Sequence, residues 1–214
     1  MSIPEENGPN VPEVVILRLP QYLRELTRLL SEGTDVASSQ QLGAHLQMTP
    51  AQIRKDLSYF GRFGKQGRGY KIPYLIKELR QILRLNQEWP AALVGVGRLG
   101  KAIIEYPGFS PQGFRVTVAF DSNSRQVGTT LGQVKVQPMS KMAEVIRENG
   151  IRIGIVAVPA EQTQTVVDKM VACGIDAILN YAPVSCHVPR GTKVRNIDPV
   201  LAIQSMTYYL SPQT

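Results

Sequence analysis

Residues 91–105 read AALVGVGRLGKAIIE, and this stretch decides the fold of the larger part of the chain. Its first four residues are apolar and predict a buried strand, and Leu99–Glu105 predicts a helix. Between them stands the pattern G-x-G-x-x-G. Gly95 permits the tight turn, Gly97 lets a diphosphate approach the backbone, and Gly100 allows the helix to pack closely on the strand. Because the N-terminus of that helix adds free N–H groups and positive potential, the stretch predicts a dinucleotide-binding turn.

The second strand of this region supplies an acidic residue at the expected place. Arg115–Phe120 ends at Asp121, which follows Gly100 by 21 residues. A carboxylate there accepts hydrogen bonds from the adenosine ribose hydroxyls and repels a 2′-phosphate. The sequence therefore predicts NAD(H) in preference to NADP(H), and Arg125 close behind weakens that preference.

Later strand ends also belong to the predicted site, because ligands of such sheets bind outside the carboxyl ends of the strands. Val158-Pro159 and Asn180 are candidates for the nicotinamide side, and each could equally form a plain turn before a proline. Tyr106 either stacks near the nicotinamide or only packs. The predicted cofactor-binding residues are Gly95, Val96, Gly97, Arg98, Leu99, Gly100, Tyr106, Asp121, Val158, Pro159 and Asn180.

Strands and helices alternate along the rest of this region. Short β-branched runs, separated by helical stretches, occur at Val116–Phe120, Val134–Val136, Ile151–Val158 and Ala177–Leu179. This alternation predicts an α/β domain with a Rossmann-type parallel sheet over residues 87–197. Apolar residues before it recur with helical spacing, so residues 1–86 are predicted to form a separate helical domain.

Three helices are predicted in the N-terminal domain. Leu19, Leu23, Leu26 and Leu30 lie on one face of a helix over Pro12–Glu32, with Pro20 placed to kink it. Ser38 with Gln41 has the form of a capping box and begins a short second helix, Ser38–Leu46. Thr49-Pro50 then begins a third helix, which runs to about Phe60. Two short helices joined by a tight turn have the form of a helix-turn-helix.

The third helix separates its residues by face. Ile53, Leu57 and Phe60 fall on one side, whereas Arg54, Lys55, Ser58 and Tyr59 fall on the other. Arg and Lys read guanine edges and Ser and Tyr reach phosphates, so the second face suits a recognition helix. An ordinary charged surface helix is the alternative.

A glycine-rich segment follows this helix. Gly61–Tyr70 mixes four glycines with three cations and predicts a hairpin, with Tyr70-Lys71-Ile72 returning as a strand. A hairpin after a recognition helix is the wing of a winged helix, and its tip can approach a phosphate or a minor groove. Stacking on single strands is the weaker alternative. The predicted DNA-binding residues are Ser38, Thr49, Gln52, Arg54, Lys55, Ser58, Tyr59, Arg62, Lys65, Arg68, Gly69 and Tyr70.

The distribution of charge supports a polyanionic partner. The net charge is −3 over residues 1–53, +7 over 54–84 and +3 over 85–214, so one short segment carries as much net charge as the whole chain. No apolar run is long enough for a transmembrane helix, and two cysteines and two histidines exclude a disulfide framework and make metal sites unexpected. We expect a cytoplasmic protein without a metal.

Two functions fit a nucleotide domain joined to a basic helical domain. The first is a small NAD-dependent dehydrogenase with an accessory basic domain. It lacks a catalytic domain of usual size, and His187 has no evident acid–base partner. The second is a DNA-binding protein regulated by NADH, which uses every segment. We therefore expect no enzymatic turnover and no catalytic residue.

At this point the chain resembles a known family. Ile53–Gly61, Gly67–Tyr70, Val94–Gly100, Tyr106–Phe109 and Ile178–Pro183 are similar, in this order, to motifs of the Rex family of redox-sensing transcriptional repressors. The resemblance implies a homodimer that binds palindromic double-stranded DNA operators when NADH is low and releases them when NADH replaces NAD+. It also implies that a C-terminal helix, here Asp198–Leu210 within a segment 198–214, is exchanged between subunits.

The expected switch requires that NADH and DNA favour different arrangements of one dimer. Arg24 on the first helix, Tyr106 and Asp198 are the candidates. We expect Arg24 to pair with Asp198 in one state, and Tyr106 to take Asp198 in the other. Alternatively, Arg24 is a solvated helix residue and Asp198 only an N-cap.

Overall fold

The computed structural model describes residues 11–65 and 67–210, with the side chain of Lys65 excepted. The predicted DNA contact of the Lys65 side chain, and the parts of the predicted domains at 1–10 and 211–214, lie outside the described residues. The chain divides into two compact units, the first ending at Gln87 and the second beginning at Glu88. No described helix combines the length and apolar character needed to cross a membrane.

The first unit has the element order of a winged helix. Its sheet has the order β1-β3-β2, with both pairs antiparallel, and the β2–β3 hairpin forms the wing. Its elements are α1 (Glu13–Ser31), β1 (Val36–Ala37), α2 (Ser39–Leu46), α3 (Pro50–Ser58), β2 (Gly64–Lys65), β3 (Gly69–Lys71) and α4 (Ile72–Ile82).

Local signals begin these helices where the sequence predicts. Ser38 accepts a hydrogen bond from the Gln41 amide while the Gln41 side chain returns to the Ser38 amide, which completes the capping box of α2. The Thr49 hydroxyl accepts a hydrogen bond from the Gln52 amide and so caps α3, with Pro50 at its first position. Gly33 has a positive φ of 84°, which ends α1 at little cost.

The core of this unit lies between α1, α3 and α4. Leu19, Leu26, Ile53 and Leu75 are fully buried there. The expected strand Tyr70-Lys71-Ile72 is one residue too long, since Ile72 already begins α4. Pro73 accounts for this difference, because a residue without an N–H suits the first turn of a helix better than a ladder.

The second unit is a seven-stranded sheet with the order β10-β9-β8-β4-β5-β7-β6, parallel except for β6. The order reverses on either side of β4, and such a switch point opens a crevice at the carboxyl ends of the strands. The elements are β4 (Trp89–Val94), α5 (Arg98–Glu105), β5 (Phe114–Asp121), β6 (Thr130–Leu131), β7 (Val134–Pro138), α6 (Met142–Glu148), β8 (Ile153–Val156), α7 (Ala160–Ala172), β9 (Ala177–Asn180), β10 (Lys193–Asn196) and α8 (Pro199–Thr207).

Some boundaries in this unit differ from those expected. The predicted strand Ile151–Val158 shortens to β8, and Pro159 is the N-cap of α7 soon after the strand ends. The predicted helix Asp198–Leu210 forms only over α8, with Asp198 as its N-cap. Strands β6 and β10 were missed. Both are sheet edges, and their short or charged sequences lack the apolar run of a central strand.

Candidate nucleotide site and DNA-binding surface

The turn between β4 and α5 gives each of its glycines a separate structural reason. Gly95 has a φ of 98°, and a Cβ there would lie 2.4 Å from the carbonyl oxygen of Ala157. A Cβ on Gly100 would lie 1.9 Å from the carbonyl oxygen of Gly95, so α5 can pack against the turn only without a side chain. A Cβ on Gly97 meets nothing, because this residue faces open space. Gly97 is therefore the position at which a ligand can approach the backbone.

Asp121 is held at the end of β5 by two backbone amides. Val96 N–H donates to its Oδ2 and Asn123 N–H donates to its Oδ1, both over 2.7 Å. A carboxylate oxygen can accept two hydrogen bonds, so each still has room for a hydroxyl donor. The acid is thus fixed beside the glycine turn, as the predicted ribose contact requires.

A cleft of about 590 Å³ opens at this edge of the sheet. It brings together Gly95, Gly97, Asp121, Val158 and Pro159 of the predicted set. Nine lining residues were not predicted: Val94, Ser122, Met139, Ala157, Glu161, Gln162, Thr165, Val166 and Lys169. Ser122 and Met139 follow the ends of β5 and β7, so the strand-end rule could have found them. The remaining polar residues lie on the exposed face of α7, where no sequence pattern marks them as ligand contacts.

The other predicted cofactor residues do not line this cleft. Val96 is fully buried and contributes its amide, whereas Arg98 and Leu99 are exposed in the first turn of α5. Tyr106 is 59% exposed at the end of α5 and packs edge-on against Phe109. The cofactor contacts expected of Arg98, Leu99 and Tyr106 therefore stay predictions.

Asn180 has a structural place inside the fold. Its side chain is fully buried, donates to the carbonyls of Ala182 and Val184 and to Asn196 Oδ1, and accepts from the Ala182 amide. All of its polar atoms are therefore engaged inside the fold. The side chain of Asn180 thus shapes the loop after β9, and its place on the nicotinamide side stays a prediction.

In the first unit, α3 presents the faces that the sequence predicts. Ile53 and Leu57 are buried, while Arg54, Lys55 and Ser58 are exposed. A cleft of about 690 Å³, which we call the recognition cleft, lies between α3, the start of α2 and the wing. It contains six of the predicted DNA-binding residues: Ser38, Arg54, Ser58, Arg62, Gly69 and Tyr70.

Some of these side chains already have partners. Arg54 donates to Ser39 Oγ over 3.0 Å. Ser39 also lines the cleft, although the sequence analysis named Ser38 and not Ser39. Ser58 donates to the Lys55 carbonyl, which leaves its oxygen free to accept. Arg62 and Arg68 are exposed.

Tyr70 and Gln52 are less available to DNA than predicted. Tyr70 is only 8% exposed, because alternation along β3 turns it towards the core. Burial raises the pKa of its phenol, against an opposing effect of the Arg54 charge. Gln52 is half-buried, and its amide donates to Asp56 Oδ1 over 2.8 Å. Both side chains therefore pack beneath the predicted DNA-binding surface.

A buried ion pair fixes α3 to α1, and sequence reasoning missed it. Asp56 is fully buried and accepts from Arg18 Nε at 2.6 Å, Arg18 Nη2 at 2.8 Å and the Tyr22 hydroxyl at 2.5 Å. Burial alone would raise the pKa of the Asp56 carboxyl, but the hydrogen bonds from Arg18, Tyr22 and Gln52 outweigh it and lower the pKa. The carboxylate is thus kept ionised inside the unit.

The predicted switch residues stand in different units. Arg24 is exposed on α1 in the first unit. Asp198, in the second, accepts a hydrogen bond from the Val200 amide and caps α8. Within residues 11–65 and 67–210, no cluster of three or more His, Cys, Asp or Glu side chains has the arrangement of a metal site.

Comparison with known proteins assigns both units. Residues 10–58 match a family model described as "Putative DNA-binding protein N-terminus", and residues 86–184 match one described as "CoA binding domain". A redox-sensing transcriptional repressor Rex of Roseiflexus sp. (strain RS-1) is 52% identical over 200 residues, covering 94% of this chain and 91% of that protein. The chain belongs to the Rex family of redox-sensing transcriptional repressors. The resemblance in the sequence motifs is thereby confirmed.

Other Rex proteins agree along nearly the whole chain. The Rex of Chloroflexus aurantiacus is 50% identical and covers 94% of each chain. A crystal structure of RSP in complex with β-NAD+ and operator DNA superimposes with a TM-score of 0.88, at 35% identity over 94% of this chain and 93% of that one. The Rex relatives are named as repressors, so the dehydrogenase alternative is not supported.

Proposed function

We propose that this Rex protein binds palindromic operator DNA when NADH is low and releases it when NADH binds. The observation that carries the proposal is the presence, in one chain, of a basic recognition cleft in the first unit and a glycine-turn cleft in the second. NAD+ and NADH then act as regulatory ligands, without a catalytic step. A protein that binds operator DNA works where a bacterium keeps its chromosome, so we place it in the cytoplasm.

Arg54 and Lys55 are proposed to read base edges in the major groove. Both are exposed on α3, and the buried Asp56 between α3 and α1 fixes the angle at which they project. Arginine and lysine donate to the acceptors that guanine presents there. Arg62 and Arg68 are proposed to hold phosphates, because the glycines beside them let the wing backbone lie close to DNA.

NADH and NAD+ fit the cleft of the second unit. Gly97 leaves the space that a side chain would fill, and the start of α5 offers free amides to a diphosphate. Asp121, already oriented by two amides, would accept hydrogen bonds from the adenosine ribose and exclude a 2′-phosphate by charge. Val158 and Pro159 would lie on the other wall.

A homodimer joined through α8 is part of the proposal. Within the chain this helix has no buried residue, and Leu201, Ile203 and Met206 are each more than 60% exposed. An apolar helix of this kind requires a partner surface. A second copy of the chain supplies one if the helix is exchanged, and two recognition helices then match the two halves of a palindrome.

The switch is proposed to involve Arg24, Tyr106 and Asp198. Tyr106 is exposed, and its ring lies against Gly108 and edge-on to Phe109, so its hydroxyl is accessible to a partner. Asp198 keeps one carboxylate oxygen outside its capping bond. NADH lacks the positive charge of the NAD+ nicotinamide ring, so a nearby phenol or carboxylate interacts differently with the two ligands.

The test is fluorescence anisotropy on a library-selected palindromic duplex, with NAD+ or NADH added. We expect tight binding with NAD+ and release with NADH. The Arg54→Ala, Lys55→Ala double variant should lose about 1–3 kcal/mol per contact and blur sequence preference. Lys135→Gln serves as the matched control, because it removes one exposed positive charge from the second unit. Equal DNA affinity with NAD+ and NADH would contradict the proposal.

A further inference from the structure

A second cleft lies beside the wing. It has a volume of about 470 Å³ and is lined by Val36, Phe63, Arg68, Gly69, Lys71 and Tyr74. We call it the outer wing cleft. Phe63 and Gly69 line both this cleft and the recognition cleft, so the two adjoin across the wing.

The register of the small sheet explains which residues reach the outer wing cleft. Val36 pairs with Lys71 and Ala37 pairs with Tyr70 in the antiparallel ladder of β1 and β3. Directly opposed residues share a face of a sheet, and successive pairs alternate between faces. Ala37 and Tyr70 are buried in the core. Val36 and Lys71 therefore stand on the outer face.

Aromatic side chains complete this surface. Tyr74, in the first turn of α4, lies with its ring centroid 6.5 Å from that of Phe63. Tyr74 is 47% and Val36 is 46% exposed, which is unusual for large apolar residues side by side. In the part of the chain that the structure describes, no acidic side chain pairs with Arg68 or Lys71. The cleft thus combines exposed apolar surface with two uncompensated cations.

We propose that the outer wing cleft binds the sugar–phosphate backbone of the operator, on the side of the wing away from α3. Lys71 contacts a phosphate, and Val36 and Tyr74 pack against deoxyribose. This inference rests on the proposed DNA-binding function. A minor groove is only about 6 Å wide, so a hairpin entering it meets a backbone on each side. The cleft is continuous with the recognition cleft, and its charge is complementary to phosphate.

The sharpest variant is Lys71→Gln. Lys71 is the N-cap residue of α4 but its side chain makes no capping hydrogen bond, so the substitution leaves the start of the helix intact. One phosphate contact contributes about 0.9 to the slope of log affinity against log salt, which corresponds to about eightfold in affinity between 1 M and 0.1 M salt. We therefore expect operator binding about eightfold weaker at about 0.1 M salt, with the slope shallower by about 0.9.

Two further measurements separate this contact from general electrostatics. Phosphate-ethylation interference should lose its signal at one backbone position with Lys71→Gln and keep the rest. Lys135→Gln, which removes an equal exposed charge on β7, should leave slope and interference pattern unchanged. Tyr74→Ser should weaken binding several-fold without changing the slope, because it removes no charge. The ratio of affinities with NAD+ and NADH should stay that of the unaltered chain.

The outcomes are distinct. A Lys71→Gln variant with unaltered slope and interference pattern overturns the outer contact while leaving the repressor function in place. Failure of the unaltered chain to bind any duplex would overturn the repressor function and this inference together.

Discussion

Replacing Arg18 by Met should lower the free energy of unfolding of the first unit more than replacing an exposed arginine does. The Asp56 side chain is fully buried and that of Arg18 is only 17% exposed, so the variant leaves a buried carboxylate without its cation. Removing one partner of a buried pair costs about 3–5 kcal/mol. We expect the low end, about 3 kcal/mol, because Tyr22 and Gln52 still donate to Asp56.

The loss should depend on pH in a definite direction. In the unaltered chain the pKa of Asp56 is lowered, so its contribution to stability is present above the unfolded pKa of about 4 and is lost as pH falls through the folded value. Without Arg18, burial dominates and the variant's carboxyl takes up a proton at higher pH. The difference in the free energy of unfolding between the two proteins should therefore narrow as pH is lowered from neutrality.

Urea unfolding can isolate this effect. The only tryptophan, Trp89, belongs to the second unit, so its fluorescence should report an unchanged transition while far-ultraviolet circular dichroism reports the earlier loss of helix. Arg28→Met is the matched control, because Arg28 lies on the same helix, is 40% exposed and pairs with Glu25 and the exposed Glu32. A loss below about 1 kcal/mol at neutral pH, or one equal to that of Arg28→Met, would refute the reasoning.

Three shorter predictions concern NADH binding, dimerisation and the switch. Gly100→Ala should abolish NADH binding and destabilise this unit, because its Cβ would lie 1.9 Å from the Gly95 carbonyl oxygen; calorimetry with NADH measures the loss, and Gly97→Ala should spare the fold. Ile203→Glu should shift sedimentation from dimer to monomer, whereas Ile203→Leu should not, since Ile203 belongs to the exposed apolar side chains that α8 offers a partner. Arg24→Ala, Asp198→Ala and Tyr106→Phe should each reduce the NADH-induced release of DNA; three normal responses would place the switch elsewhere.

The features that could be predicted from sequence are those that depend on local patterns of residues. The capping box of α2, the Thr49 N-cap of α3, the two faces of α3 and the glycine turn depend on residues within a few positions of one another, and all have the expected form. The direction of the Asn180 side chain could not be predicted in this way. A strand-end position predicts that a residue is near the ligand edge, but not whether its side chain turns inward, and here four hydrogen bonds turn it inward.

Asp56 shows why the rest of the DNA-binding surface could not be read from sequence. An acid among the cations of a recognition helix looks unfavourable for binding DNA, and its partners Arg18 and Tyr22 are 38 and 34 residues away. Only the packing of α1 on α3 brings the three together, so that the Arg18 cation compensates the charge of the Asp56 carboxylate. The same packing sets the direction of Arg54 and Lys55, which stand two residues and one residue before Asp56. The geometry with which the helix meets DNA therefore depends on a long-range ion pair, so a change on α1 that alters this pair alters recognition without touching the DNA.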